Sequence, residues 1–263
     1  WFWDYDNDGA LDLYVASYAA RMDDVAADAM NYSLNIEGPK LYRNTGDGFN
    51  DVAGAAGITQ PASPMGANFG DLNGDGFLDF YLGTGWPDYD ELMPNKMYVG
   101  RGGTGFADVT MASGFGHLQK GHGIAFVDLD QDGDQDVFEE MGGAFLGDAY
   151  FNAFFENPGF NTSWVAIKLV GTKTNRSAIG ARIRIDTESG GGTRSIYRYI
   201  NSGATFGGNP LQKNIGLGKA DRIKRLEIEW PVSGSRQQFE DVEVNQAITI
   251  IEGVDAIAPI PQD

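Results

Sequence analysis

The stretch DYDNDGALD, residues 4–12, places four aspartates, Asp4, Asp6, Asp8 and Asp12, within nine positions. Charges of one sign held that close repel unless a cation lies among them. The pattern returns as DLNGDGFLD at 71–79 and DLDQDGDQD at 128–136, so all three stretches fit D-x-[DN]-x-D-G-x-x-D. A weaker repeat travels with it: LYRNTGDGFNDVAGAAGI from Leu41, MYVGRGGTGFADVTMASGF from Met97, and a degraded copy, FFENPGF, from Phe154. Met97 and Phe154 each lie 26 residues after their loop's first aspartate, whereas Leu41 lies 37 after Asp4. Met22, Val25, Ala26 and Ala29 recur at helical spacing inside that insertion, which predicts a helix there. Self-similarity at such a period indicates a repeat architecture.

Composition narrows the classes. The 263 residues hold 37 Asp and Glu against 19 Lys and Arg, a net charge of −18. The excess is confined to residues 1–160, with 26 acids and 6 bases, while the rest is nearly balanced at 11 and 13. Twelve of the 26 acids lie in the three repeats. A surface this acidic repels a phosphate backbone, so nucleic acid is not an expected partner. No segment approaches the roughly 18 apolar residues of a membrane span. Cysteine is absent, which excludes disulfides and thiolate metal sites without fixing the compartment. The chain begins without Met or a signal-like segment, and the expectation is a processed or partial chain.

Hard divalent cations prefer oxygen, and Ca2+ accepts six to eight such ligands at flexible geometry. In a tight loop alternate side chains point inward, so positions one, three and five converge: Asp4, Asp6 and Asp8, then Asp71, Asn73 and Asp75, then Asp128, Asp130 and Asp132. Position seven (Ala10, Phe77, Asp134) offers a carbonyl, and the ninth-position Asp12, Asp79 and Asp136 close each site. Gly9, Gly76 and Gly133 at position six permit the reversal that a Cβ hinders. Mg2+ dehydrates reluctantly and takes fewer protein ligands, so Ca2+ at about three sites is the expected ion. Asp-Gly and Asn-Gly also mark solvated hairpin turns, but three loops with the same oxygen-bearing positions favour the ion. An EF-hand is excluded for the set. Glu139 stands at position twelve of the third loop, yet Val15 and Leu82 stand there in the others, and the flanks read as strands. Alternation puts Leu11, Leu13 and Val15 on one strand face, matched by Leu78, Phe80 and Leu82.

These loops, each set between two strands, resemble the FG-GAP/VCBS repeats of integrin-α-type β-propellers. That resemblance implies four-stranded blades with the calcium loop joining the first two strands, and for the second blade strands near 66–70, 77–83, 96–100 and 106–110. The later segments WVAIKLVGTKTNRSAIGARIRID, INSG, IGLGKADRIKRLEIEWP and VNQAITIIEG resemble the ASPIC/UnbV domain that follows such repeats in secreted bacterial proteins of the cartilage-acidic-protein type. Read on their own residues, WVAIKLV, ARIRID, RSIYRYI, RLEIEW and AITII are short β-branched or aromatic runs, and a sandwich of about seven strands is expected.

The expected fold is therefore all-β: a partial propeller of three calcium-loop blades over 1–160, a β-sandwich over 161–253, and a Pro-interrupted tail over 254–263. A closed propeller needs four to eight blades, so the expectation is part of a larger ring. The alternative is a native three-blade unit whose WFW strand completes a neighbour's blade and builds a fibre.

Other residues offer weaker chemistry. His117 and His122 read as loop histidines rather than a catalytic pair, and Glu139 with Glu140 as a contact to Arg182, Arg184 or Arg198 rather than an acid/base pair. Trp86 and Tyr89 read equally as sugar-stacking aromatics or as packing. Asn31, Asn161 and Asn175 head N-glycosylation triplets. The functional expectation is a secreted or cell-surface, or periplasmic, calcium-binding protein of adhesion or extracellular assembly. Its partners would be protein or self, met through open blade edges, or glycans. The alternative is a carbohydrate-active or carbohydrate-binding propeller.

Overall fold

Each acidic repeat is the turn of a hairpin. The computed structural model describes residues 1–86, 88–89, 92–148, 150–190, 192–203 and 205–260. The first loop joins β1 (Phe2–Trp3) to β2 (Asp12–Val15), and the sheet continues through β3 (Lys40–Asn44) and β4 (Phe49–Asp51) in the order β1-β2-β3-β4. Helix α1 (Met22–Ala29) lies in the insertion before β3 and buries no residue, so the helical spacing was real but its apolar side stays at the surface. After the one-turn α2 (Ala53–Ala56), the second sheet repeats the meander with β5 (Pro64–Gly70), β6 (Asp79–Thr84), β7 (Lys96–Gly100) and β8 (Phe106–Asp108). The third contains β9 (Gly121–Val127), β10 (Asp136–Met141) and β11 (Ala153–Phe155), with no fourth strand among the described residues.

These sheets stack face to face. Trp3, Tyr14, Phe69, Phe80 and Phe106 share one apolar cluster that joins the first sheet to the second, and the ring centroids of Trp3 and Phe106 lie 5.5 Å apart. On the opposite side of the second sheet, Tyr81 and Met97 pack with Ile124, Phe126 and Val137 of the third. All six residues of β6 are buried for that reason. In the first sheet the buried face of β2 carries Asp12 and Tyr14, while Leu13 is partly exposed and Val15 43% exposed. This corrects the expected face. The aromatic ring has more apolar area to bury, and Asp12 must reach backbone donors of the loop.

The remaining strands are β12 (Ser163–Val170), β13 (Arg182–Ser189), β14 (Gly192–Tyr199), β15 (Lys213–Gly218), β16 (Arg222–Glu229), β17 (Arg236–Val242), β18 (Gln246–Ile251) and β19 (Ile257–Pro259). They form two sheets, β15-β12-β18-β19 and β14-β13-β16-β17, whose inward residues meet in one core including Ile167, Ile183, Ile215 and Trp230. β12 and β18 pair in parallel. The segment read as a tail contributes β19, which pairs with β18, and residues 261–263 lie outside the described set. The chain is thus all-β apart from two helices, a propeller-type arrangement of five separate sheets.

Buried Glu252 ties this second core together. Its carboxylate accepts from the backbone N–H groups of Thr172, Lys173 and Thr174 at 2.7–2.8 Å and from Ser233 Oγ at 2.6 Å. Burial pushes its pKa up, but these donors outweigh burial and hold it down to about 2. A depressed carboxylate stabilises above its unfolded pKa near 4.5 and loses that contribution as pH falls toward 2. Glu252→Ala is expected to cost about 1–3 kcal/mol in urea melts at neutral pH, and the difference from wild type should shrink below about pH 3.

The inner edges of the second and third sheets are covered. Ala67 of β5 and Thr205 exchange backbone bonds at 3.0 and 3.2 Å, and Ile124 of β9 donates to Phe206 O at 3.1 Å. Asn209 bridges both sheets, donating to Phe69 O at 2.6 Å and accepting from Phe126 N at 2.8 Å. The WFW strand pairs with β2 of its own sheet, and Trp3 is only 1% exposed.

Candidate metal centres

The three loops are built alike. Position four is left-handed in each (Asn7 φ 57°, Gly74 φ 66°, Gln131 φ 64°), and so is position six (Gly9 φ 89°, Gly76 φ 86°, Gly133 φ 102°). Glycine at position six relieves a conformation that a side chain resists. The N–H of position seven donates to the carboxylate at five: Ala10 to Asp8 and Phe77 to Asp75 at 2.8 Å, Asp134 to Asp132 at 3.1 Å. The N–H of position five likewise donates to the side-chain oxygen at three, Asp6, Asn73 or Asp130. These bonds tie positions three, five and seven of each loop to one another.

The ninth-position carboxylates do more than close the loop. Asp12, Asp79 and Asp136 are at most 1% exposed. One oxygen of each accepts from position two (Tyr5, Leu72, Leu129), and the other accepts from the third strand or the second residue beyond it (Asn44, Gly100, Asn157). They clamp the hairpin to the rest of its sheet, a role that local spacing does not reveal.

A cation fits the remaining atoms. Carboxylate oxygens of Asp4, Asp6 and Asp8 lie within 4.8 Å of one another, as do those of Asp128, Asp130 and Asp132. Oxygens bound to one Ca2+ at 2.3–2.6 Å span at most about 5 Å. The second loop carries Asn73, an equally suitable oxygen donor, between Asp71 and Asp75. Asp71 Oδ1, Asp128 Oδ1 and Asp134 Oδ1 are buried with no hydrogen-bond partner, although such atoms ordinarily find one. In Asp134 the side chain adds a carboxylate at position seven, where the other loops have Ala10 and Phe77.

Nearby charge grades the three loops. Arg43 Nε lies 2.7 Å from Asp6 Oδ2 in the first. In the second, the buried Arg198 guanidinium lies 3.5 Å from Asp71 Oδ2. In the third, Asn214 donates to Asp128 Oδ2 at 2.6 Å.

Burial, reinforced by neighbouring carboxylates, pushes Asp4 and Asp134 up to about 7. Burial pushes Asp71 up to about 6 against the opposing pull of Arg198, and Asp12 to about 6 despite the Asn44 N–H. A raised carboxylate favours the folded state below its unfolded pKa of 3.8, and that contribution is lost as pH rises through 6–7. With a chelator present, the midpoint of thermal unfolding is therefore expected to fall between pH 5 and pH 8. Saturating calcium should abolish or reverse that trend.

Of the other sequence candidates, only His117 and Glu139 meet. His117 Nε2 lies 2.7 Å from Glu139 Oε2, and Tyr81 OH donates to the same oxygen at 3.0 Å. Glu139 is fully buried and Glu140 exposed, so consecutive strand residues put them on opposite faces. The expected arginine contact is made elsewhere: Arg182 pairs with Glu229, Arg184 with Asp186 and Arg198 with Asp71. His122 packs on Phe206. Trp86 stacks on Tyr18 at 4.9 Å under Arg21, whereas Tyr89 lies tilted against Phe145 at 5.5 Å and stays 54% exposed. Asn31, Asn161 and Asn175 are exposed.

Face-to-face meander sheets whose first turns are acidic loops define a propeller-type repeat protein. Residues 4–82, spanning the first two loops, match the family model described as FG-GAP-like repeat, and residues 171–257 match that described as ASPIC and UnbV. The chain carries both, in that order. The comparison with curated proteins found no match.

Proposed function

We propose that this is a calcium-binding protein of the cell surface or extracellular space, acting in adhesion or structural assembly. In this reading the first three sheets are propeller blades, the last two are a β-sandwich, and Ca2+ in the three loops locks the blades. One observation carries it: three loops share the same left-handed positions and hydrogen-bond ladder, two of them gather three carboxylates within 4.8 Å, and two leave the first aspartate's Oδ1 buried without a partner. The cation's role is structural, neutralising carboxylates that otherwise repel. A relation to cartilage-acidic-type proteins belongs to the same proposal.

Exposed apolar side chains on and before the outer edge strand β11, notably Leu146, Phe151 and Phe154, supply a surface for a protein partner or a second copy. A carbohydrate role has less support, since Trp86 is stacked on Tyr18 and only Tyr89 of the two rings is left exposed. Calorimetric titration of Ca2+ into metal-stripped protein tests the proposal. Saturable binding at three sites is expected, and Asp128→Asn with Asp132→Asn in the third loop should remove one of the three. Heat no larger than for Mg2+, with no saturation, would remove the calcium reading.

A further inference from the structure

The C-terminal half covers part of the face that carries the three loops, although Asp8, Asp130 and Asp132 stay exposed. Tyr197 covers Gly9, where an added Cβ would meet the ring at 3.3 Å, and Trp164 covers Gly133, where the same atom would overlap the indole. Gly76 faces Ile196 and Arg194. Position six is thus glycine in every loop for two reasons, its backbone angle and the sheet packed against it.

The contacts are polar as well as steric. Tyr199 OH donates to Gly9 O at 2.8 Å, and Arg198 to Gly76 O at 3.1 Å. Strand β15, at the edge of its sheet, carries two further donors, one a side chain and one a backbone N–H. Asn214 Nδ2 donates to Asp128 Oδ2 at 2.6 Å, and Gly216 N donates to Asp71 Oδ2 at 3.2 Å. Each of these aspartates opens its loop, and in each the other oxygen, Oδ1, is buried without a partner. One strand of the C-terminal half therefore holds one oxygen of two first-position carboxylates and leaves the second free.

We propose that the second and third cation sites are composite. Asn214 and Gly216 of the C-terminal half are positioning residues that orient Asp71 and Asp128 toward the ion, so cation binding and docking of the two halves form one coupled equilibrium. The inference rests on the calcium reading above. Fixing a ligand carboxylate by hydrogen bonds from behind preserves its orientation, and loss of such a partner typically lowers metal affinity about 10–100-fold. Coupling is reciprocal: whatever the docked C-terminal half adds to cation affinity, the cation adds to docking.

Two measurements on the full chain test this. Calorimetric titration of Ca2+ into metal-stripped Asn214→Ala should show one site weakened about 10–100-fold and the other two unchanged. Because the chain has no cysteine, Asn50→Cys with Lys224→Cys places one spin label on each half at exposed strand positions. Chelation should lengthen and broaden the distance distribution between them, and Ca2+ should restore it. Wild-type binding with unchanged constants in Asn214→Ala, or an interlabel distance indifferent to chelation, would overturn the inference while leaving the calcium reading intact. Absence of Ca2+ binding by the wild type would instead remove the calcium reading and this inference with it. Should Asn214→Ala fail to fold, the label experiment decides alone.

Discussion

Chelation of divalent cations at pH 7.5 is expected to lower the thermal midpoint by about 15–30 °C. One site held at 100 times its dissociation constant stabilises the folded state by about 2.7 kcal/mol, so three contribute roughly 8 kcal/mol. For a chain of this length each kcal/mol moves the midpoint by about 2–4 °C. The effect is large because net stabilities of domains are only about 5–15 kcal/mol. It is reinforced by what the ion leaves behind: Asp4, Asp6 and Asp8 within 4.8 Å of one another, and Asp128, Asp130 and Asp132 likewise. Differential scanning calorimetry with and without chelator reads the shift directly, and a midpoint that does not move contradicts the structural role of the ion.

Asp79→Ala is expected to cost about 2–6 kcal/mol, and much of that loss should persist in chelator. Asp79 is fully buried and accepts from Leu72 N and Gly100 N, each at 2.8 Å. Its removal strands both donors in the interior, at about 1–3 kcal/mol each. Relief of repulsion from Asp71 and Asp75, which together with burial pushes the Asp79 pKa well above its usual range, offsets part of this. Asp79→Asn keeps one acceptor and should lose less. Urea denaturation of both variants in calcium and in chelator separates the clamp from the ligand: equal stability of Asp79→Ala and wild type in chelator would show that the clamp contributes nothing.

Much of the loop architecture was legible because it is local. Aspartate at positions one, five and nine and glycine at six require one another within nine residues, and the second sheet's strands fell at 64–70, 79–84, 96–100 and 106–108, close to expectation. Spacing failed where two patterns compete. Leu11, Leu13 and Val15 alternate convincingly, yet Tyr14 on the opposite face joins Trp3 and Phe80 in the core. The helix at 22–29 was legible from Met22 and Val25, but periodicity does not say whether anything packs on it. The partners of Glu139, expected to be arginines, are His117 and Tyr81, brought from other strands and loops.

What no local pattern carries is the cover over the loops. Asn214 and Asp128 are 86 residues apart in sequence, and Tyr197 lies 190 from Asn7, whose side chain accepts its N–H. Glycine at position six was read as a turn requirement. The packing of Tyr197 and Trp164 on Gly9 and Gly133 gives it a second cause that only the assembled chain displays.

Native mass spectrometry of the metal-stripped protein, titrated with Ca2+, counts bound ions molecule by molecule. Three successive additions that saturate, with Mg2+ far weaker, are the expected result. A chain that passes through millimolar Ca2+ and still flies at its bare mass would mean that the clustered aspartates hold no ion.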